Sequence, residues 1–164
     1  MEKVISALQK VYALIDQYNH SHPEKILRVL TGSVSLAIQW VDIIPSEDID
    51  ILTDEEWASK LDELLTQYAV QKSEYSSTDT YRSFFWIYKI DWIQVEVMGD
   101  FQYRLQDGSR SPKNQNNKIH YQEYQTMKIP MLYLWQELKE YENMGRIEKA
   151  EKIREKLTTE KDQI

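Results

Sequence analysis

The stretch from Leu30 to Leu52 constrains this chain more than any other. Ile26 to Leu30 reads as a short buried strand that runs through Thr31 into a Gly32-Ser33 turn. A helix is predicted from Ser35 to about Val41, with Leu36, Ala37 and Trp40 available to a core, then a loop from Asp42 to Glu47 containing Pro45. Asp48-Ile49-Asp50-Ile51-Leu52 reads as a second strand. Side chains alternate across a strand, so Asp48 and Asp50 share one face, and Glu47 falls on the other. Two carboxylates held side by side among apolar neighbours repel each other unless a cation joins them. The pair therefore reads as ligands for a hard divalent ion, Mg2+. The Gly32-Ser33 turn opens a helix whose first amides lack intrahelical partners, and Ser33 adds a hydroxyl. Together they suit a phosphate.

The flanking segments supply an ordinary core. Residues 2–18 place Val4, Leu8, Val11, Tyr12, Leu14 and Ile15 at helical spacing. Thr53-Asp54-Glu55-Glu56 reads as a helix start, with Thr53 as the capping hydroxyl and Trp57, Leu61, Leu64, Leu65 and Tyr68 on the apolar face. Val70–Tyr75 is a predicted strand. Phe84–Ile90 and Ile93–Met98 form a predicted hairpin about Asp91-Trp92, closed by Gly99-Asp100. Phe101–Leu105 is a candidate further strand, and Ser109–Lys118 reads as a basic loop carrying Arg110, Lys113 and Lys118. Ile129-Pro130 is taken to introduce a C-terminal helical region with Leu134, Leu138 and Tyr141 inward. Gly145 ends that helix, and a last helix has Ile147, Ala150, Ile153 and Leu157 inward.

Further candidate groups follow from this frame. Ile93, Val95 and Val97 face one way, and Gln94, Glu96 and Met98 the other. Glu96 is either a third carboxylate beside Asp48 and Asp50 or half of a solvated face with Gln94; the upstream stretch favours the first. Asp91 and Asp100 read as turn or cap residues. Arg82 either meets a phosphate or acceptor group or lies on the surface. His20 and His22 sit in a polar connector without further ligands nearby, and His120 stands alone.

At 164 residues, 41% apolar and 12% aromatic, the chain fits one domain, spanning 1–164. A net charge of −7 argues against a dedicated nucleic-acid binder. The absence of cysteine excludes disulfides, thiolate metal sites and a cysteine nucleophile. No apolar run reaches the roughly 20 residues of a membrane helix, and no signal peptide is visible at the start. A soluble, cytoplasmic protein without a membrane partner is expected.

The string Gly32-Ser33, Asp48-Ile49-Asp50, Val95-Glu96-Val97 resembles the small prokaryotic nucleotidyltransferases of the DNA polymerase β-like superfamily, including the minimal and antibiotic-modifying members. Tyr141 to Arg146 also looks like the tail of small members. The resemblance implies an α+β (α/β) fold with a mixed sheet flanked by helices. Its nucleotidyltransferase core would span about 26–106 and its C-terminal helical segment about 128–157. It implies transfer of a nucleoside monophosphate, AMP, from an NTP to a hydroxyl of a small molecule or of a partner protein or tRNA. Asp48, Asp50 and Glu96 would be the catalytic and metal residues, holding two Mg2+ ions, with Mn2+ as the substitute. Gly32, Ser33 and Arg82 would contact the nucleotide. Few residues follow Gly99, so the resemblance implies an acceptor site completed by a homodimer or by a partner of toxin–antitoxin type. The competing expectation is a degenerate, non-catalytic member that binds nucleotide or a partner.

Overall fold

A computed structural model describes residues 1–113 and 118–161. The polypeptide forms a mixed sheet flanked by helices, as the sequence predicts. Helix α1 (Glu2–Ser21) leads to β1 (Val29–Thr31), α2 (Gly32–Ile38), β2 (Asp48–Thr53) and α3 (Glu55–Leu65). A short 3-10 turn (Thr66–Tyr68) precedes β3 (Ala69–Ser77), β4 (Tyr81–Ile90) and β5 (Ile93–Tyr103). The chain then continues through β6 (Ile119–Tyr124), β7 (Met127–Leu132), α4 (Leu134–Asn143) and α5 (Ile147–Lys161). The seven strands lie in the order β3-β4-β5-β2-β1-β7-β6. The β2–β5 and β1–β7 pairs are parallel and the rest antiparallel.

The central strands are amphipathic in the sense the alternation predicts. Leu30, Ile49, Ile51, Val95 and Val97 join one large cluster with Leu8, Val11 and Ile15 of α1 and Ala58, Leu61 and Leu65 of α3. A second cluster joins Leu36 and Val41 to Leu134, Tyr141, Ala150 and Ile153, so α2 also packs on the α4–α5 pair. The opposite face of the sheet therefore carries the polar residues of β1, β2 and β5. No described helix is long and apolar enough to cross a membrane.

Several local predictions need correction. Helix α3 is capped by Asp54, whose carboxylate accepts from the Trp57 amide at 2.9 Å. Thr53 still belongs to β2, level with Gly99, and its hydroxyl donates to the Leu27 carbonyl at 2.7 Å. Strand β5 does not close at Gly99-Asp100. A Cβ at Gly99 would sit 3.1 Å from Ala58 Cβ, a tight contact with α3, and Asp100 (φ 53°) adjoins a register shift before the strand resumes through Tyr103. The Asp91-Trp92 turn does form, with φ 51° and 71°, which suits the right-handed twist of a two-residue hairpin.

The C-terminal region departs furthest from expectation. Residues 128–132 are not helical: Ile129 and Pro130 lie in β7, where Pro130 faces Tyr121 of β6 and Met131 pairs with Leu30 of β1. Helix α4 starts only at Leu134, so the predicted helical segment about 128–157 is strand at its start. Trp40 (φ 63°) is 70% exposed and Val41 takes the core position instead. Ile147 is 57% exposed because α5 turns Ala150 and Ile153 inward. Gly145 (φ 70°) does end α4. Of the predicted basic loop, residues 114–117 lie outside the described residues. Arg110 donates to the Thr78 carbonyl at 2.8 Å and Lys113 pairs with Asp100.

Candidate active site

The parallel β2–β5 pair sets Asp50 level with Glu96 and Asp48 level with Gln94. Strand alternation points Asp48, Asp50 and Glu96 to the same side, away from the large core. On the other flank of β2, β1 places Thr31 opposite Asp50. The chain then enters α2 through Gly32 (φ 72°). A Cβ at Gly32 would lie 1.9 Å from Asp50 Oδ2, so only glycine admits the carboxylate here. Gly32, Asp50 and Glu96 line one cavity of about 280 Å3, walled also by β3–β4, Phe101 and the α4–α5 turn.

Electrostatics marks the same place. Burial pushes the Asp50 carboxyl up to about 7, Asp48 and Glu96 add to the effect, and Arg146 and Lys149 oppose it. Glu96 is also raised, first by burial and then by Asp48, against a hydrogen bond from Gln94 Nε2 at 2.6 Å. Oδ1 of Asp48 is buried and has no hydrogen-bond partner. A buried, unpartnered carboxylate oxygen beside two carboxyls is the chemistry that a hard divalent cation would satisfy. The side chains do not converge as placed: Asp50 lies over Gly32, Glu96 is drawn to Gln94, and no group of three or more potential ligands among the described residues is close enough to hold an ion.

Three predicted site residues, Asp48, Ser33 and Arg82, do not line the cavity. Ser33 is buried, and its hydroxyl accepts from the Ser46 amide at 2.8 Å and pairs with the Ser46 hydroxyl. It thus ties α2 to the loop before β2. Arg82 is exposed on β4 between Tyr81 and Ser83, which do line the cavity, so its side chain is on the other face. The hairpin register contains this answer: it places Ile87 opposite Glu96, and the odd-numbered β4 residues share the Glu96 face.

The cavity also contains residues that the sequence did not single out. Arg146 lies on its wall after Gly145, with its guanidinium 5.9 Å from the Tyr141 ring centre. Glu137 and Glu140 project from α4 and are almost fully buried. Burial drives the Glu137 carboxyl well above the usual range, helped by Glu140 and Asp50, and burial raises Glu140 to about 7. The Glu140 side chain makes no hydrogen bond or ion pair among the described residues; its backbone carbonyl accepts from the Met144 amide. Helical periodicity makes Leu134, Leu138 and Tyr141 the natural buried face of α4. Only the docking of that helix against β1 shows that these glutamates are inside.

Residues 7–162 match the family of aminoglycoside-2''-adenylyltransferases. The chain belongs to that family. Within the aminoglycoside-2''-adenylyltransferase frame, the fold has a solved counterpart at 36% identity, a "putative nucleotidyltransferase" from Thermotoga maritima (TM1012). It aligns over 94% of this chain and 92% of its own with a TM-score of 0.75. A second, ANT(2'')-Ia crystallised with adenylyl-2''-tobramycin, is 11% identical and aligns over 98% of this chain and 92% of its own with a TM-score of 0.58. That more distant likeness is one of fold. No curated protein matches the sequence.

Proposed function

We propose that the protein transfers AMP from ATP to a hydroxyl of an amine-bearing small molecule, with Mg2+ as cofactor. The observation that carries the reading is Asp50 set level with Glu96 on parallel strands, directly over the Cβ-less Gly32, with a buried unpartnered oxygen on Asp48. Asp48, Asp50 and Glu96 would hold the metal. When bound, Mg2+ would neutralise the phosphates and lower the pKa of the acceptor hydroxyl. Gly32 admits the Asp50 carboxylate at the start of α2, and Arg146 faces the same cavity as the cation for phosphate oxygens. Ser33 supports this turn through Ser46. Asp50 or Glu96 takes the proton of the acceptor hydroxyl.

The acceptor side is acidic. Glu96 and Glu140 face the cavity, and the Glu140 carboxyl suits an ammonium or hydroxyl donor of the substrate. The tobramycin adduct of the distant fold relative fits such a wall. A cavity of about 280 Å3 also suits a small acceptor better than a macromolecule. The experiment is calorimetric titration of non-hydrolysable ATP and GTP analogues with and without Mg2+, beside an Asp48→Asn/Asp50→Asn variant. Tobramycin then serves as trial acceptor in a pyrophosphate-release assay. Metal-dependent binding lost in the variant is expected. A folded wild type that binds neither analogue would overturn the reading.

A further inference from the structure

Helix α4 reaches the carboxylate site through one buried contact. Thr31 Oγ1 donates to Glu137 Oε1 at 3.0 Å across 106 residues of sequence, with both residues buried. The Ser35 hydroxyl of α2 also acts on the Glu137 carboxyl and favours its charged form. The hydrogen bond to Thr31 holds the chain at the residue before Gly32. Thr31 occupies the N-cap position of α2 but makes no capping bond; its hydroxyl is given to Glu137. Ser35 is held in turn: Gln39 Nε2 donates to Ser35 Oγ at 3.1 Å and to the Leu132 carbonyl at 3.3 Å, and Gln39 Oε1 lies 3.0 Å from His120 Nε2. Ser35 is thereby tied to β7 and β6. A carboxyl sealed in the protein this way gains nothing from solvent, and a leucine there would pack as well. Its place beside Thr31, the register partner of Asp50, gives it a use.

We propose that Glu137 is a positioning residue of the nucleotidyl-transfer site: by holding Thr31 it fixes Gly32 against Asp50, so that the C-terminal helix sets the geometry of the metal-binding carboxylate. This rests on the nucleotidyltransferase reading above. Supporting partners of metal-site ligands commonly matter by 10–100-fold in affinity or activity.

The test compares Glu137→Gln, Glu137→Leu, Thr31→Val and the Thr31→Val/Glu137→Leu double variant in the full chain. The first readout is calorimetric binding of Mg2+ with a non-hydrolysable ATP analogue. Glu137→Gln retains an acceptor oxygen and should bind within about twofold of wild type. Glu137→Leu and Thr31→Val should each bind about tenfold more weakly, and the double variant no worse than either. The second readout is amide hydrogen exchange at Gly32, Ser33 and Val34 without ligand. Exchange should quicken in Glu137→Leu and Thr31→Val and stay slow in Glu137→Gln. Glu137→Gln weakened as much as Glu137→Leu would mean that charge matters and positioning does not. Thr31→Val indistinguishable from wild type in both readouts would also overturn the proposal, and it decides the matter if Glu137→Leu does not fold. A wild type that binds no nucleotide removes the function reading, while the exchange rates still decide whether Glu137 holds the turn.

Discussion

On the helix-covered face of β2 and β5, Ile49, Ile51, Val95 and Val97 are fully buried against α1 and α3. On the other face of the same strands, Asp48, Asp50 and Glu96 crowd one another, and two of them have raised pKa values. One alternation thus sends adjacent residues into opposite energetic regimes. The apolar face supplies stability by removing hydrocarbon from water. The acidic face costs stability through the burial and mutual repulsion of its carboxyls, as expected for a face whose geometry serves something other than the fold.

The sharpest way to break this contrast is to exchange one residue from each face. Ile51→Ala removes a fully buried side chain and should cost about 2–5 kcal/mol in denaturant unfolding. Asp50→Asn, one position away, should do the reverse in metal-free protein at pH 8, raising the unfolding midpoint while abolishing the stabilisation by Mg2+. An Asp50→Asn protein less stable than wild type in the absence of metal would mean that the carboxylate serves the fold, and the two faces would not differ in kind.

A smaller effect should appear with pH. Asp50 rises from an ordinary 3.8 to about 7 in the folded chain, so between those values the native state holds a proton that the unfolded state has released. Stability of the metal-free protein therefore falls as pH rises from about 4 to about 7 and stays low above it. Glu140 acts with the same sign. At about 1.4 kcal/mol per pKa unit the Asp50 contribution is at most roughly 4 kcal/mol. Thermal melts at pH 5.5 and 8 should show a drop without Mg2+, a smaller drop with it, and a smaller drop in Asp50→Asn. Equal melting temperatures at both pH values would show that the acidic face is not under electrostatic load.

The same contrast explains what the sequence could reveal. Faces set by local alternation were legible: Ile49 against Asp50, Val95 against Glu96, and the glycine that opens α2. Where a residue's environment depends on a distant segment, local pattern fails. Strand β7 pairs along its length with β6 and joins the sheet where Met131 lies parallel to Leu30, and nothing around Lys128 or Pro130 announces that second pairing. Glu137 and Glu140 look like solvated helix positions until α4 docks beside Thr31. Thr53 and Asp54 both suit a helix cap, and the choice falls to Asp54 because β2 continues through Thr53.

Arg82 and Arg146 extend the comparison of faces from carboxylates to cations, with the smallest expected effect. Arg146 lines the cavity and its charge lowers the Asp50 pKa, whereas Arg82 lies on the far side of β4. A charge-assisted contact to phosphate is worth roughly 1.5–3 kcal/mol at its best, and an exposed cation much less. Arg146→Ala should weaken binding of the Mg2+–ATP analogue about tenfold, close to 1.4 kcal/mol, and move the pH dependence of binding upward as Asp50 loses its larger compensating charge. Arg82→Ala should change neither by more than about twofold. The two substitutions remove the same charge from one acidic chain, so any general loss of positive field affects both alike. Only a difference between them reports which face binds the nucleotide, and an Arg82→Ala protein as impaired as Arg146→Ala would put the nucleotide on the β4 surface instead of in the cavity.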